Sequence, residues 1–116
     1  MHSEELPPGI ALQEGKIDHD GWMSPSVTFA VVPPNGRDTL KIALWNPDFA
    51  PSMEDNRLRV TCGEEVGVVG GIALDQTAVV TVSVVGATSL RLTSERRLEN
   101  WGPRPCGFQL VGCGWL

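Results

Sequence analysis

The sequence predicts an all-β domain, an antiparallel β-sandwich of the jelly-roll type with about eight short strands. Three observations lead there. Residues 77–85 are nine uncharged positions, seven of them β-branched, with Ala78, Val80, Val82 and Val84 on one parity. Such alternation marks a strand with one buried face. Thirteen glycines and nine prolines are spread along the chain as punctuation, placing turn signals about every 8–12 residues. In residues 1–21 proline and glycine interrupt every apolar stripe that a helix would need. The chain lacks the Cys…Trp…Cys framework of an antibody-type sandwich, which favours the jelly roll over the immunoglobulin-like alternative.

At 116 residues the chain is one domain, 1–116, able to bury roughly two-thirds of its unfolded surface. Residues 1–21 read as a loosely structured N-terminal segment in which Ile10 and Leu12 share a parity and can form a short edge strand. Asp18-His19-Asp20-Gly21-Trp22 follows as a tight acidic turn. Residues 27–32 form the next strand, with Val27, Phe29 and Val31 on one face. Pro33-Pro34-Asn35-Gly36 stops it, and Asn-Gly is a turn signal because both residues tolerate positive φ. Residues 39–45 resume with Leu40, Ile42 and Leu44 on one side and Lys41, Ala43 and Trp45 on the other, so these two strands read as a hairpin.

Residues 46–55 read as a loop. Residues 57–62 then place Leu58, Val60 and Cys62 inward and Arg57, Arg59 and Thr61 outward. Residues 65–69 make a shorter strand ended by Gly70-Gly71, and residues 72–76 lead into 77–85, taken as the central strand. Residues 89–93 turn Leu90 and Leu92 inward. Residues 94–107 form a long polar loop in which Ser94 can cap a single helical turn. Residues 108–115 close the domain, with Phe108 and Leu110 sharing a face.

The formal net charge is −5, and the acids crowd the first half: residues 1–56 hold nine acids and three bases, residues 57–116 five and six. That distribution argues against nucleic acid as the main partner, because phosphate neutralisation needs a basic face. No apolar run reaches the ~18 residues of a spanning helix. Residues 1–6 lack the basic and apolar regions of an export signal, and three cysteines cannot all pair within the chain. Both observations favour reduced thiols and a cytoplasmic setting.

Chemistry is sparse. The natural general base is histidine, and only His2 and His19 exist. No Gly-x-Ser-x-Gly element is present. A glycosidase would need two carboxylates about 5–10 Å apart, and Glu64, Glu65, Glu95 and Glu99 are not brought to a cleft by spacing alone. The expectation is a protein that is not an enzyme and holds no cofactor. Calcium is the one exception considered: Asp18 and Asp20 supply carboxylates to a hard cation, though an Asx-type turn explains the same residues.

The aromatic residues carry more. Four tryptophans stand in a chain without tyrosine. Trp101 lies in the polar loop beside Glu99, Asn100 and Arg104. A sugar ring offers an apolar face to stack on an indole and hydroxyls for polar side chains. The plainer alternative is that Trp101 folds back over the end of the sandwich. Trp45 opposes the leucine face of its strand and so faces solvent, the second sheet or a partner. Trp22 reads as a core anchor and Trp115 as a cap on the core.

The C-terminal third, residues 89–94 followed by a polar loop and Pro103-Arg104-Pro105-Cys106-Gly107-Phe108-Gln109-Leu110, resembles a β-sandwich module fused to bacterial glycosyltransferases and polysaccharide-biosynthesis proteins. Asp20-Gly21-Trp22 and residues 40–47 fit its general shape. The family's loop aspartate has no counterpart, since Glu99 is offset; Arg104 and Gly107 are the positions that carry over. The resemblance implies a non-catalytic accessory module, carbohydrate-binding, with a glycan or polysaccharide as ligand and a glycosyltransferase as fused or separate partner. The expected ligand site is Glu99, Asn100, Trp101 and Arg104. A module that binds protein instead of sugar, or forms a homodimer through a sheet face bearing Trp45, is the alternative.

Overall fold

A computed structural model describes residues 6–99 and 105–116. Its strands are, in chain order, β1 (Ile10–Glu14), β2 (Ser26–Val31), β3 (Thr39–Trp45), β4 (Asn56–Cys62), β5 (Glu65–Ile72), β6 (Thr77–Ser83), β7 (Ser89–Ser94) and β8 (Gln109–Trp115). They form two antiparallel sheets, β1-β2-β7-β4-β5 and β6-β3-β8. The alternating parities explain how the sheets meet. Val27, Phe29, Val31, Leu58, Val60, Leu90 and Leu92 from the larger sheet share one core cluster with Leu40, Ile42, Leu44, Val82 and Leu110 from the smaller. Burying each such side chain contributes about 1.5–3 kcal/mol, which makes this shared face the main support of the sandwich.

A jelly roll is a long hairpin wound on itself, so its strands pair by nesting. Here β2 pairs with β7, β3 with β6 and β4 with β5. The outermost pair, first with eighth, is replaced. β1 adds to β2 at the edge of the larger sheet, and the stretch after it runs beside the start of β8. Met23 N donates to Phe108 O at 3.1 Å and Leu110 N to Gly21 O at 2.8 Å. Gly21 has φ 96°, and a Cβ there would lie 2.4 Å from Leu110 O, so the close approach requires glycine. Trp115 Nε1 donates to Pro8 O at 2.7 Å, tying the far end of β8 to the chain just before β1.

Four expectations are corrected. The strand in residues 77–85 is an edge strand; β3 is central in its sheet. Alternation reports which face is buried, not where a strand sits in its sheet, and β3 is central while keeping Lys41 exposed on its outer face. β2 and β3 are not a hairpin, because they belong to different sheets. The Pro33-Pro34 pair removes two donors and ends the ladder, and the connection then crosses the sandwich, with Arg37 N donating to Pro34 O at 3.0 Å. β5 runs on to Ile72 through Gly70 and Gly71, which together face the single residue Arg57 as a bulge. The helical turn at Ser94 does not form: Ser94 ends β7, and its hydroxyl donates to Arg96 O at 2.5 Å.

Candidate functional site

One end of the sandwich gathers the features that the sequence scattered. After β3 the chain reads Asn46-Pro47, and the loop that follows winds through a 3-10 turn at Pro51–Met53. Asn46 is fully buried, and its amide is the staple of this end. Its Nδ2 donates to Met53 O at 2.8 Å, Ala73 O at 3.1 Å and Ile72 O at 3.2 Å. Asn56, also fully buried, donates to Asn46 Oδ1 at 3.4 Å and to Ser94 Oγ at 3.0 Å. Its Oδ1 accepts from Arg57 N at 2.8 Å and Arg96 N at 2.9 Å. The network joins the loop after β3, the start of β4 and the chain leaving β7. Polar groups this deep are stabilising only when satisfied, and every buried side-chain N and O among the described residues has a partner.

Against this staple lies a second apolar cluster, Trp22, Met53, Leu98 and Cys106, with Trp45, Ala50 and Leu74 packed on it. Leu98 N donates to Cys106 O at 2.7 Å and Cys106 N to Leu98 O at 3.0 Å. The base of the polar loop is thereby closed on the aromatic end. Trp22 contacts Trp45 at a centroid distance of 6.1 Å and Phe49 at 6.1 Å, the latter edge-on at 74°. Trp45 Nε1 donates to Asp75 Oδ1 at 2.9 Å, which fixes the indole. Phe49 is 48% exposed.

Of the site residues expected from sequence, Glu99 is exposed at this end, with Arg97 Nε 3.7 Å from its carboxylate. Asn100, Trp101 and Arg104 lie outside the described residues. Gly107 is buried, and a Cβ there would lie 2.7 Å from Ser94 Cβ, so the position demands glycine on packing grounds. Trp22 is the core anchor expected, Trp45 turns to its own end of the molecule, and Trp115 packs partly buried against the main core.

The acidic turn is closed by its own backbone. Asp18 N donates to Trp22 O at 2.9 Å and Gly21 N to Asp18 O at 2.9 Å. Trp22 N lies 3.5 Å from Asp20 Oδ1, and Gln109 Nε2 donates to Asp20 O at 2.8 Å. Among the described residues no group of three or more His, Cys, Asp or Glu side chains is assembled to hold a metal ion. His19 is exposed on the same turn.

Cys62, Cys106 and Cys113 are thiols. Burial pushes the Cys113 thiol up to about 11. Burial also raises Cys62, with the Glu65 carboxylate adding to it. Both are therefore poor nucleophiles at neutral pH. A separate cleft of about 300 Å³ opens between the edges of β5 and β6, lined by Val60, Gly67, Val69, Val80 and Val82 with Cys62 and Glu65 near one end. Among the described residues no helix is long and apolar enough to cross a membrane.

No protein-family model, curated protein or solved structure matches this chain. The class defined by topology is an all-β sandwich with jelly-roll strand nesting. Phe49 and the two buried asparagines were missed by sequence reasoning. Asn46 and Phe49 sit in a proline-bounded segment that reads as an ordinary loop, and a buried asparagine has the same letter as a turn asparagine.

Proposed function

We propose that this chain is a non-catalytic module that binds a glycan at its aromatic end. The observation that carries the reading is the arrangement there. Phe49 presents nearly half its surface to solvent while braced edge-on by Trp22, and Trp45 is held by Asp75 beside it. Rigid aromatic planes are what a pyranose ring stacks on. Carboxylates and amides at the same end, Asp48, Asp75, Gln76 and Glu99, are exposed acceptors and donors for hydroxyls. Asn100, Trp101 and Arg104 belong to the loop whose base, Leu98 to Cys106, packs on this cluster. They complete the proposed site.

The module's context is polysaccharide assembly, with a fused or separate glycosyltransferase as partner, a reading supported by the resemblance of its C-terminal third. The thiol state of all three cysteines supports a cytoplasmic setting. Calcium held at Asp18 and Asp20 is a separate element of the proposal and is tested by chelation. The test of the site is a pair of variants, Phe49→Ala and Trp101→Ala, titrated with the best glycan from an array. Each is expected to weaken binding about tenfold, about 1.4 kcal/mol, with the melting temperature of Phe49→Ala lowered by no more than a few degrees. Retained affinity in both variants would move the site elsewhere.

A further inference from the structure

We propose that the outer edge of β5 pairs with β5 of a second copy of this chain, antiparallel about a two-fold axis at Val68. β5 ends its sheet, and no strand among the described residues takes up the backbone groups along its outer edge. Monomeric proteins usually guard such edges with charge, proline or short length. β5 is eight residues long, and after Glu65 it reads Val66-Gly67-Val68-Val69-Gly70-Gly71-Ile72 without charge or proline. Val66 and Val68 stand 61% and 58% exposed. By contrast β1 is five residues long, ends in Glu14 and carries a register break.

The order of side-chain sizes selects a second copy as the occupant. Turned about an axis at Val68, the strand places Val68 opposite Val68, Val69 opposite Gly67 and Val66 opposite Gly70. Gly67 and Gly70 each receive a valine, and Gly71 faces Glu65. Directly opposed residues in an antiparallel pair point to the same face, so the match holds on both faces. On the inner face, a Cβ on Gly67 would meet nothing within 4 Å. That gap opens into the cleft of about 300 Å³ between β5 and β6, and Val69 of the second copy enters it. On the outer face, a Cβ on Gly70 would lie 3.7 Å from Arg57 Cγ, so Val66 of the second copy meets the methylene stem of Arg57.

Charge sets the direction. Glu64 and Glu65 sit at one end of the strand, so antiparallel pairing carries the two copies' acids to opposite ends, whereas parallel pairing would set them side by side. β6 is an uncharged edge as well, but its run of threonine, alanine and valine has no interlocking of large with absent side chains. The arrangement is isologous and closes as a dimer.

The test is sedimentation velocity of the full chain across the micromolar range. The fitted mass is expected to rise with concentration from 12.5 kDa toward twice that value. Val68→Lys sets two ammonium groups on the axis and is expected to abolish the rise. Val79→Lys, on the outer face of β6 and comparably exposed at 56%, is expected to leave it intact. Gly67→Val, which fills the slot from within and adds strand propensity, is expected to weaken association at least about tenfold and serves if the lysine variant fails to fold. A monomer at every concentration overturns the proposal. So does a dimer that survives in Val68→Lys and Gly67→Val, or one lost only in Val79→Lys.

Discussion

Replacing Asn46 with alanine tests whether a single amide holds the candidate site together. The Nδ2 group offers two protons to three carbonyls, those of Met53, Ile72 and Ala73. Met53 and Ile72 are buried, whereas Ala73 is exposed, so the Ala73 carbonyl can turn to water and the other two cannot. A buried acceptor left without its donor costs about 1–3 kcal/mol. Two such acceptors, with the 3.4 Å bond from Asn56 also lost, give about 3 kcal/mol. For a domain of this size that corresponds to roughly 10–15 °C in Tm. Urea unfolding followed by tryptophan fluorescence measures the difference, with unchanged m establishing that only stability moved. A loss below about 1 kcal/mol would refute the reasoning, because it would mean that water satisfies the carbonyls. Asn46→Asp adds a directional check. A carboxylate aimed at carbonyl oxygens is expected to be worse than alanine at neutral pH and to recover as acid protonates it.

Gly21→Ala is expected to cost about 2 kcal/mol or more, because φ 96° and the Leu110 carbonyl 2.4 Å from the new Cβ both oppose it; Gly36→Ala, where a Cβ meets nothing within 4 Å at φ 82°, is expected to cost less in the same thermal melt. The partly buried Cys113 thiol keeps its proton to about pH 11 against an ordinary value of 9.0. The folded state therefore binds more protons than the unfolded state between those values, and stability, full below about pH 9, falls as the pH climbs toward 11. Urea midpoints are expected to fall less steeply over that window in Cys113→Ala, and equal slopes would contradict the assignment. Asp75→Ala frees the Trp45 indole and is expected to weaken glycan affinity more than it lowers Tm.

The inward faces were legible because alternation is a local property. Val27, Phe29 and Val31, then Leu40, Ile42 and Leu44, then Leu90 and Leu92 all point into the core as their parity predicts. Pairing is not local, and there the reading failed. Asn35-Gly36 signals a turn equally well within one sheet or across two, and only the packing of Leu40 and Val27 in one core from opposite sheets decides it. The run at residues 77–85 looked central because it lacks charge, yet an edge strand beside β3 lacks charge too. At the site, tryptophans announced themselves by rarity. Phe49 acquired its place from the 3-10 turn and the Asn46 staple, which depend on carbonyls from β5 and the corner after it, and these lie 26 and 27 residues away in sequence.

The most direct test of the central claim is a glycan-array screen of the purified chain, run with calcium and again with a chelator. Saturable binding to one class of glycan or polysaccharide is expected, weakened about tenfold in Phe49→Ala and Trp101→Ala. Loss of the signal under chelation alone would point to calcium at the Asp18–Asp20 turn. A blank array under both conditions, from protein that melts cooperatively, would contradict the glycan-binding account.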